Sequence, residues 1–536
     1  MTNRLSTKIW LLRFIIKTTT VLLAFSLPCI DCFSQCRNDK LDLPDTLIME
    51  AYERAATQNI LAAVNPDIFF GYFSVCADGK GFGFGNTYPS LDGHQMTDAL
   101  LWLGKVDVVK SNWEYVKTFQ RPDGLLPLAI LPSDAGKMIG PTDFQSPVDP
   151  NGGLYRHWVP GNPLRALGGT TYIQNADVIF RFTNDREWLL KELPSINLTA
   201  DYLASLVTGD GDVEGAGYYI ERPTRVEFDG VAQCHVADAF LRVSELNAIA
   251  GNSYAAGKYE KLANLIETCF RSRFWVNDHF AEYINPERGV ITSHGLTDTD
   301  WSSIALDIAN ADQKMILWPR LKDEKRFYYN GMPTGISTLP LTYEKWESTY
   351  NDIMDLAAMG RVWYIEAMAR TRMHDAEGLI ETIRRVCEEG RRNGYYWRER
   401  YNDKGGYGAE KYCEYPANLI RIIQRFMLGV DHGLDGTLYL GPTVPDKFWN
   451  AGFGQILSWQ GRRISYKMQF DRIKGEYSGQ SSQQLSVRLG KPPYKKNILV
   501  TIQGNSAMFD VKDGWIRIVL PAASTENPCR FEIMHL

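Results

Sequence analysis

The most informative part of the chain is residues 395–428, YYWRERYNDKGGYGAEKYCEYPANLIRIIQRFML. It places Glu399, Glu410 and Glu414 among six tyrosines and a tryptophan, directly before an apolar run with helical spacing. Aromatic rings stack on the C–H faces of sugar rings, and carboxylates bind hydroxyls or transfer the proton that cleaves a glycosidic bond. The segment therefore indicates a carbohydrate site. Ordinary surface glutamates on a tyrosine-rich loop are the alternative, because Glu is mostly an exposed residue.

The composition is that of a large globular protein. The chain has 536 residues, 44% of them hydrophobic and 12% aromatic, which is enough for a large core and more than one domain. The net charge is −5, and no long basic run follows the first few dozen residues. Nucleic acid is therefore not an expected partner.

The first residues have the pattern of a secretory signal. Basic residues precede the apolar segment 21–30, and small residues permit cleavage after Ser34. We predict a signal peptide over residues 1–34 and an exported protein, periplasmic or extracellular. Cys36 leaves a lipid-anchored form as the alternative. No later stretch reaches the roughly 18 apolar residues of a membrane span, so we expect none.

The cysteines and histidines form no metal or disulfide pattern. Of nine scattered cysteines, those at 29 and 32 precede the predicted cleavage point, and the remaining odd number indicates no disulfide framework. The mature chain has no Cys-x-x-Cys pair and no His-x-x-x-His spacing. Nucleotide-binding fingerprints and the Gly-x-Ser-x-Gly nucleophile motif are also absent. We expect no cofactor and no metal.

Helical periodicity fills the chain from residue 43 to about 430. Paired helices without a strict repeat predict a mainly α fold, an α/α toroid in which inner and outer helices alternate, as a domain over residues 35–430. Its functional loops would gather at one end. The segments with the clearest periodicity are 45–63, 97–119, 170–182, 185–206, 231–250, 254–274, 301–308, 350–370, 376–389 and 417–428.

The pattern changes after residue 431 to short alternating or β-branched runs separated by Gly, Asn, Asp and Pro. These runs predict antiparallel strands, and we place a small C-terminal β-sandwich domain over residues 431–536. The predicted strands are 437–440, 455–458, 463–469, 484–489, 498–502 and 515–520.

Several short motifs follow one another in a recognisable order. Phe-Gln-Arg-Pro-Asp-Gly-Leu-Leu-Pro at 119–127 and Met-Pro-Thr-Gly-Ile-Ser-Thr at 332–338 precede Trp-Arg-Glu-Arg-Tyr at 397–401. In this order the chain resembles the six-hairpin glycosidase superfamily, most nearly the α-L-rhamnosidases. Their Trp-Glu-Arg-Trp fragment, and the Glu-Lys-Tyr of the related trehalases before a Gly-rich turn, both compare with the segment around Glu399. The resemblance implies the (α/α)6 form of the toroid with six hairpins, a catalytic role for this domain, and Glu399 as the catalytic base.

The general acid of rhamnosidases lies in a segment Asp-Glu-Arg-Leu-Gly-Trp-Thr-Gly-Asp, to which Leu-Asp-Gly-His-Gln-Met-Thr-Asp at 91–98 is similar. The resemblance implies Asp92 as the acid and Asp98 as a supporting carboxylate. This chain lacks the Arg and Trp of that segment and has Asp in the place of the acid. It also begins its helices where rhamnosidases carry large β domains.

A competing acid lies in Gly-Asp-Gly-Asp-Val-Glu-Gly at 209–215. Trehalases place their acid in a loop shortly before a helix, and Glu-Phe-Asp-Gly at 227–230 leads into a comparable helix here. This register would make Asp212 or Glu214 the acid. A plain turn is the structural alternative. The order of the other motifs favours Asp92.

Further polar and aromatic residues are predicted to bind the substrate. An arginine can hold hydroxyls or a carboxylate while an aromatic ring stacks beneath the sugar. Closure of the toroid by the same aromatics is the structural alternative. The predicted set is Asp98, His94, Arg156, His157, Trp158, Tyr219, Arg222, Trp346, Trp397, Glu410 and Glu414.

These observations predict a glycoside hydrolase that acts on an oligosaccharide or polysaccharide with inversion. One carboxylic acid would protonate the leaving oxygen while Glu399 activates a water on the opposite face, with about 6.5–9.5 Å between the carboxyls. A lyase or epimerase on the same toroid, with His94, His157 and Tyr219 as acid or base, is the second hypothesis. A carbohydrate-binding protein without turnover is the third.

Overall fold

Helices dominate the chain up to residue 427, and strands dominate it afterwards. The protein is represented by a computed structural model. It describes residues 40–64, 73–78, 88–127, 129–130, 164–215, 228–339, 344, 347, 357–490, 492, 494 and 497–536.

The helices alternate between two kinds of surface. Some bury nearly every side chain, polar ones included, whereas their neighbours along the chain bury one stripe only. The helices that bury nearly every side chain are α2 (Ser90–Trp102), α4 (Leu167–Thr183), α8 (Asp298–Ala305), α10 (Gly360–Arg372) and α12 (Glu414–Ile422), and α6 (Gly230–Ala250) does so over its first half. The others are α1 (Thr46–Arg54), α3 (Val106–Lys117), α5 (Arg186–Ser205), α7 (Ser253–Arg273), α9 (Ala311–Leu321), α11 (Ala376–Arg392) and the short α13 (Asp446–Ala451).

The buried helices contact one another in cyclic order. Helix α2 packs on α4, α4 on α6, α6 on α8, α8 on α10, α10 on α12, and α12 returns to α2. The stripe-burying helices flank them, as when α7 packs on α6 and α11 on α10. A helix with neighbours on every side must bury polar groups as well as apolar ones, which explains why α4 and α8 show no clean polar face.

Two predicted helices were wrong in their extent, and the one predicted over 350–370 begins only at Gly360, after the non-helical residues 357–359. The sequence predicted a single helix over 97–119, but the chain forms α2 and α3 with a break at Gly104. Gly104 has a φ of 72°, a conformation that glycine adopts without a steric penalty. Because α2 starts at Ser90, Asp92 and Asp98 lie on the same helix. Helix α9 was not predicted, since it contains Pro319 in a short amphipathic run.

Two larger sheets follow the helices. The seven-stranded sheet has the order β1-β12-β13-β14-β20-β16-β17, and the five-stranded sheet β10-β11-β15-β19-β18. Strand β1 comes from the other end of the described chain. Their bounds are β1 (Leu41–Asp42), β10 (Val430–His432), β11 (Leu438–Leu440), β12 (Phe453–Trp459), β13 (Arg462–Gln469), β14 (Arg472–Ser478), β15 (Gln483–Val487), β16 (Ile498–Ile502), β17 (Asn505–Ser506), β18 (Asp510–Lys512), β19 (Trp515–Leu520) and β20 (Cys529–His535).

The prediction of purely antiparallel strands was wrong for one pair. Strand β11 pairs with β15 in parallel. Three strands of the other sheet lie between them in the chain and supply the long crossover that a parallel pair needs. Four two-stranded pairs lie among the helices: β2 (Tyr88–Pro89) with β3 (Ala129–Ile130), β4 (Trp275–Val276) with β5 (His279–Phe280), β6 (Ile284–Asn285) with β7 (Gly289–Val290), and β8 (Arg400–Asn402) with β9 (Gly405–Tyr407).

Aromatic packing joins the sheets to the helices. The His432 ring stacks on Trp102 of α2 with 5.7 Å between centroids and lies 5.6 Å from Trp459 of β12. Burial lowers the pKa of His432 to about 3, so the ring is neutral at this apolar contact. No helix in the described part of the chain has the length and apolar character needed to cross a membrane.

Strand β20, which was not predicted, lies in the middle of the larger sheet between β14 and β16. Its Ile533 is fully buried. We expect Ile533→Ala to lower the free energy of unfolding by about 2–5 kcal/mol, since it leaves a cavity in the core. The matched control Val519→Ala, at an exposed position of β19, should change it by less than about 0.5 kcal/mol. Equal effects in chemical denaturation would contradict the packing of β20.

Candidate active site

Glu399 lies directly before the β8–β9 hairpin and is held by that hairpin. Its carboxylate Oε2 accepts the N–H of Ala409 at 3.0 Å, and Nε of Arg400 lies 3.2 Å from Oε1. Gly408, with a φ of 79°, passes so close that a Cβ there would lie 2.6 Å from Oε2. The glycine in the tyrosine-rich segment is thus required for the approach of the backbone, and the carboxylate is fixed in one orientation.

Asp92 lies in the first turn of α2 and is buried. Its Oδ2 accepts the hydroxyl of Tyr412 at 2.9 Å, and Nη2 of Arg361 lies 3.7 Å from Oδ1. Among the described residues, Oδ1 has no hydrogen-bond donor. This is the environment of a carboxyl whose charged form is poorly solvated.

The pKa of Asp92 is raised to about 7. Burial is the main cause, because it penalises the charged carboxylate, and the negative charges of Glu414 and Glu399 add to it. Arg361 and the Tyr412 hydroxyl act in the opposite direction. A carboxyl of this kind carries a proton at neutral pH in a substantial fraction of molecules.

The base of the hairpin brings Asp92 and Glu399 into one electrostatic environment. The Tyr412 N–H donates to the carbonyl of Trp397 at 3.0 Å. Tyr412, whose hydroxyl binds Asp92, is thus paired with the backbone two residues before Glu399. The charge of Glu399 acts on the pKa of Asp92. No hydrogen bond joins the two carboxyls within the part of the chain that the structure describes. They form a pair without direct contact.

Glu414 and Arg361 form a buried ion pair beside Asp92. Glu414 is the first residue of α12, and its Oε2 lies 2.8 Å from Nη2 of Arg361. The Glu414 side chain is therefore engaged by an arginine, and its predicted role in substrate binding stays a prediction. Arg361 and Tyr412 are two residues of this site that the sequence analysis missed. Only the neighbourhood of Tyr412, within the tyrosine-rich segment, gave a signal.

Asp98, six residues after Asp92, holds two arginines. Its Oδ2 accepts Nε of Arg421 at 2.8 Å, and its Oδ1 accepts Nη2 of Arg425 at 2.6 Å. Burial alone would raise the pKa of Asp98, but the two guanidinium groups outweigh it and hold the pKa well below its usual range. Asp98 joins α2 to the end of the helical segment and does not contact Asp92.

His94 lies between these two aspartates and is fixed as a neutral ring. Its Nδ1 lies 2.7 Å from Oδ1 of Asn175, and its Nε2 lies 3.3 Å from Nη2 of Arg421. Since Arg421 can only donate, Nε2 accepts and Nδ1 carries the hydrogen. Burial and the Arg421 charge lower the pKa of His94 to about 3. Both ring nitrogens are thus engaged.

A cavity of about 470 Å³ lies among the buried helices. His94, Asp98 and Arg361 contribute to its lining, together with acidic and basic side chains of α4, α6 and α10. Charged side chains of these helices therefore face an interior cavity, alongside apolar ones.

The competing acids lie elsewhere. Asp212 is buried, and its described contacts are an ion pair with Arg273 and a hydrogen bond from the Cys269 thiol, both from α7. Glu214 is partly exposed and lies 3.6 Å from Arg165. Neither contacts the hairpin of Glu399 within the described residues, and α7 is a stripe-burying helix. The charge of Glu399 acts on the pKa of Asp92, whereas the described side-chain contacts of Asp212 and Glu214 are with other residues.

The remaining predicted binding residues fall into two groups. The Trp397 indole is in the core, donates to the carbonyl of Val386 at 3.0 Å and packs over Gly390, so it supports the hairpin from beneath. Glu410 is exposed and pairs with Arg398 at 2.7 Å. Arg156, His157, Trp158, Tyr219, Arg222 and Trp346 lie outside the described residues.

A second buried charged cluster surrounds His294. Its Nδ1 lies 2.5 Å from Glu282 and its Nε2 2.9 Å from Glu347, which also accepts the Tyr283 hydroxyl at 2.6 Å. Burial would lower the pKa of His294, but the two carboxylates raise it to about 9. The Glu282 carbonyl accepts the N–H of Gly230 at the start of α6. The cluster therefore fastens the loops that precede α6 and α8.

No group of three or more His, Cys, Asp or Glu side chains among the described residues has the arrangement of a metal site. Six cysteines are described, and all six are free and buried. The chemistry that the described site offers is thus that of carboxyl groups, guanidinium groups and a tyrosine hydroxyl.

Comparisons with known proteins were made for sequence and for structure. No family model and no curated protein matches the chain. Among solved structures, the α-L-rhamnosidase from Dictyoglumus thermophilum matches with a TM-score of 0.58 and 13% identity over 93% of this chain and 50% of that one. A rhamnosidase of Bacillus sp. GL1 matches with a TM-score of 0.60 and 12% identity over 80% and 40%.

The Streptomyces avermitilis α-L-rhamnosidase complexed with L-rhamnose gives a TM-score of 0.56 and 11% identity over 92% of this chain and 42% of that one. This chain therefore spans half or less of the length of these enzymes. Identities of this size show a shared fold and nothing finer. The chain has a rhamnosidase-like glycosidase fold.

We expect Asp98→Asn to destabilise the protein by roughly 3–5 kcal/mol, because it leaves two buried arginines without their carboxylate. Since the pKa of Asp98 is lowered in the folded state, its contribution is present above the ordinary aspartate pKa of about 3.9 and is lost as the pH falls below it. Thermal unfolding of wild type and variant should therefore converge at acid pH.

Asp431→Asn is the matched control for this prediction. Asp431 pairs with the same Arg425 at 3.3 Å, but its side chain is 53% exposed. Its removal should cost less than about 1 kcal/mol. A loss for Asp98→Asn no larger than that for Asp431→Asn would show that the buried pairs do not hold α12 to α2.

Proposed function

We propose that this chain is an exported glycoside hydrolase in which Asp92 is the general acid and Glu399 the general base. The proposal starts from the rhamnosidase-like fold. The main supporting observation is the pair of carboxyl groups. Asp92 is buried and has a pKa of about 7, which the charge of Glu399 helps to raise, and the Glu399 carboxylate is hydrogen-bonded. Glycosidases use such a pair of carboxyls, one protonated and one ionised.

The cyclic contacts of α2, α4, α6, α8, α10 and α12 support an (α/α)6 toroid as the catalytic domain over residues 35–430. The two larger sheets support a β-sandwich domain over 431–536, to which the N-terminal strand β1 contributes. The first turns of α2, α10 and α12 meet at Asp92, Arg361 and Glu414. Catalysis in this proposal takes place at that end of the toroid.

In the proposed reaction Asp92 gives its proton to the glycosidic oxygen while the bond from that oxygen to the anomeric carbon breaks. A water attacks the opposite face of the sugar, and its proton passes to Glu399. The product therefore has the inverted anomeric configuration. The mechanism requires no cofactor.

The substrate class is inferred from the fold and the site together. The neighbours are rhamnosidases, which makes α-L-rhamnosides the first glycosides to consider. Export is supported by the N-terminal basic and apolar pattern over residues 1–34. His94, with both nitrogens engaged, is unsuited to the proton transfers that a lyase or epimerase would need.

A panel of aryl glycosides and of plant and host glycans tests the proposed function. Release of reducing ends, with the first-formed anomer identified by proton NMR, is the readout. We expect hydrolysis with inversion. An unsaturated product that absorbs in the ultraviolet would indicate a lyase, and binding without any product would indicate a carbohydrate-binding protein. Retention of configuration would contradict the roles given to the two carboxyls.

We expect Glu399→Gln to lower kcat by a factor of about 10² to 10⁴, which is the usual contribution of a general base. Sugar binding, measured by calorimetry, should persist because the side chain keeps its shape. The matched control is Glu410→Gln, an exposed glutamate of the same segment that pairs with Arg398. Turnover near the wild-type value in Glu399→Gln would assign the base to another group.

The acid can be identified from the leaving group. Asp92→Asn should lose most activity on glycosides with alkyl leaving groups, which need a proton, and far less on aryl glycosides with acidic phenols. Asp212→Asn and Glu214→Gln should retain activity on both, and kcat/KM for the two substrate types is the measurement. If one of these two, and not Asp92→Asn, shows the dependence on leaving group, the trehalase-like register is correct.

A further inference from the structure

Arg361 contacts two acidic residues that belong to different helices. Its backbone N–H and its Nε both reach Oε1 of Glu414, at 2.5 and 3.2 Å, and its Nη2 lies 2.8 Å from Oε2. Gly360 allows this approach, since a Cβ there would lie 3.0 Å from Cγ of Glu414. The guanidinium is therefore fixed by several bonds to one buried partner.

The same guanidinium is directed at the proposed acid. Nη2 of Arg361 lies 3.7 Å from Oδ1 of Asp92, the oxygen without a hydrogen-bond donor among the described residues. Tyr412 occupies the other oxygen, Oδ2. The Asp92 carboxyl thus has a neutral donor on one side and a fixed positive charge on the other.

We propose that Arg361, fixed by Glu414, is a positioning residue that orients Asp92 and adjusts how readily it releases its proton. This inference rests on the proposed function. Before the reaction, protonated Asp92, Arg361 and Glu414 have no net charge together. When Asp92 passes its proton to the leaving oxygen it becomes an anion, and Arg361 stabilises that anion in place of water.

The signs of the neighbouring charges make the inference testable. Arg361 favours the ionised form of Asp92, whereas Glu414 and Glu399 oppose it. Among the described residues, the groups whose charge or hydrogen bond is coupled to Asp92 are Arg361 of α10, Glu414 of α12, Glu399 and Tyr412 on either side of the hairpin, and the thiols of Cys76 and Cys413. Removal of Arg361 and removal of Glu414 should therefore have opposite effects.

The test is the pH dependence of kcat/KM for the full-length enzyme on a glycoside with an alkyl leaving group. The alkaline limb of this profile reports deprotonation of the acid. We expect Arg361→Gln to move the limb to higher pH by about one to three units, since an opposite charge at this distance is lost. Glu414→Gln should move it to lower pH. Arg361→Lys, which keeps the charge, should return the limb towards its wild-type position.

Arg370→Gln is the matched control. Arg370 lies on the same helix, is buried, and pairs with the buried Glu366 at 2.8 Å as Arg361 pairs with Glu414. We expect it to lower the melting temperature but to leave the limb in place. If Arg361→Gln does not fold, the opposite shift in Glu414→Gln and the preserved limb in Arg361→Lys decide the question.

Two failures can be told apart. Wild-type protein that hydrolyses no glycoside would contradict the proposed function itself. Hydrolysis with an alkaline limb that stays in place in Arg361→Gln and Glu414→Gln, or that moves in the same direction in both, would overturn the role of Arg361 and leave the function intact.

Discussion

The ion pairs between Asp98 and the two arginines Arg421 and Arg425 join parts of the chain more than three hundred residues apart, and the candidate site depends on them. They fasten α12 to α2. Glu399, the β8–β9 hairpin and Tyr412 come shortly before α12 in the chain, so fixing α12 also fixes this segment near the first turn of α2. The Tyr412 hydroxyl then reaches Asp92. Closure of the helical arrangement and assembly of the site are thus one structural event.

Asp92 and Asp98 show how neighbouring charges decide the fate of a buried carboxyl. Both lie on α2 and both lose water on folding. Asp98 gains two arginines in direct contact, and its pKa falls well below the usual range. Asp92 has one arginine at 3.7 Å and two acidic neighbours, and its pKa rises to about 7. One helix therefore carries a charged anchor and a carboxyl with a raised pKa, which differ in their partners and not in residue type.

The sequence predicted the helical class and most helix positions, because these depend on local periodicity. The assignment of Asp92 and Glu399 as acid and base, which came from short motifs, stays a prediction. The sequence analysis missed what depends on distant partners. Arg361 lies 53 residues from Glu414, and nothing around it marks it as special. Apolar and charged residues alternate in β20, a pattern typical of a strand with one exposed face at the edge of a sheet, yet β20 lies between β14 and β16. Gly104 was predicted to lie inside a helix, although its backbone conformation ends α2.

The proposed site depends on Asp92 carrying a proton near neutral pH, because this carboxyl is buried beside the like charges of Glu414 and Glu399. Infrared difference spectra between wild type and Asp92→Asn, recorded across pH 5 to 9, test this directly without a substrate. We predict a carboxylic acid C=O band, absent from the variant, that disappears with a midpoint near the pKa of about 7. A spectrum without such a band, with the Asp92 carboxylate signal present throughout, would contradict the account.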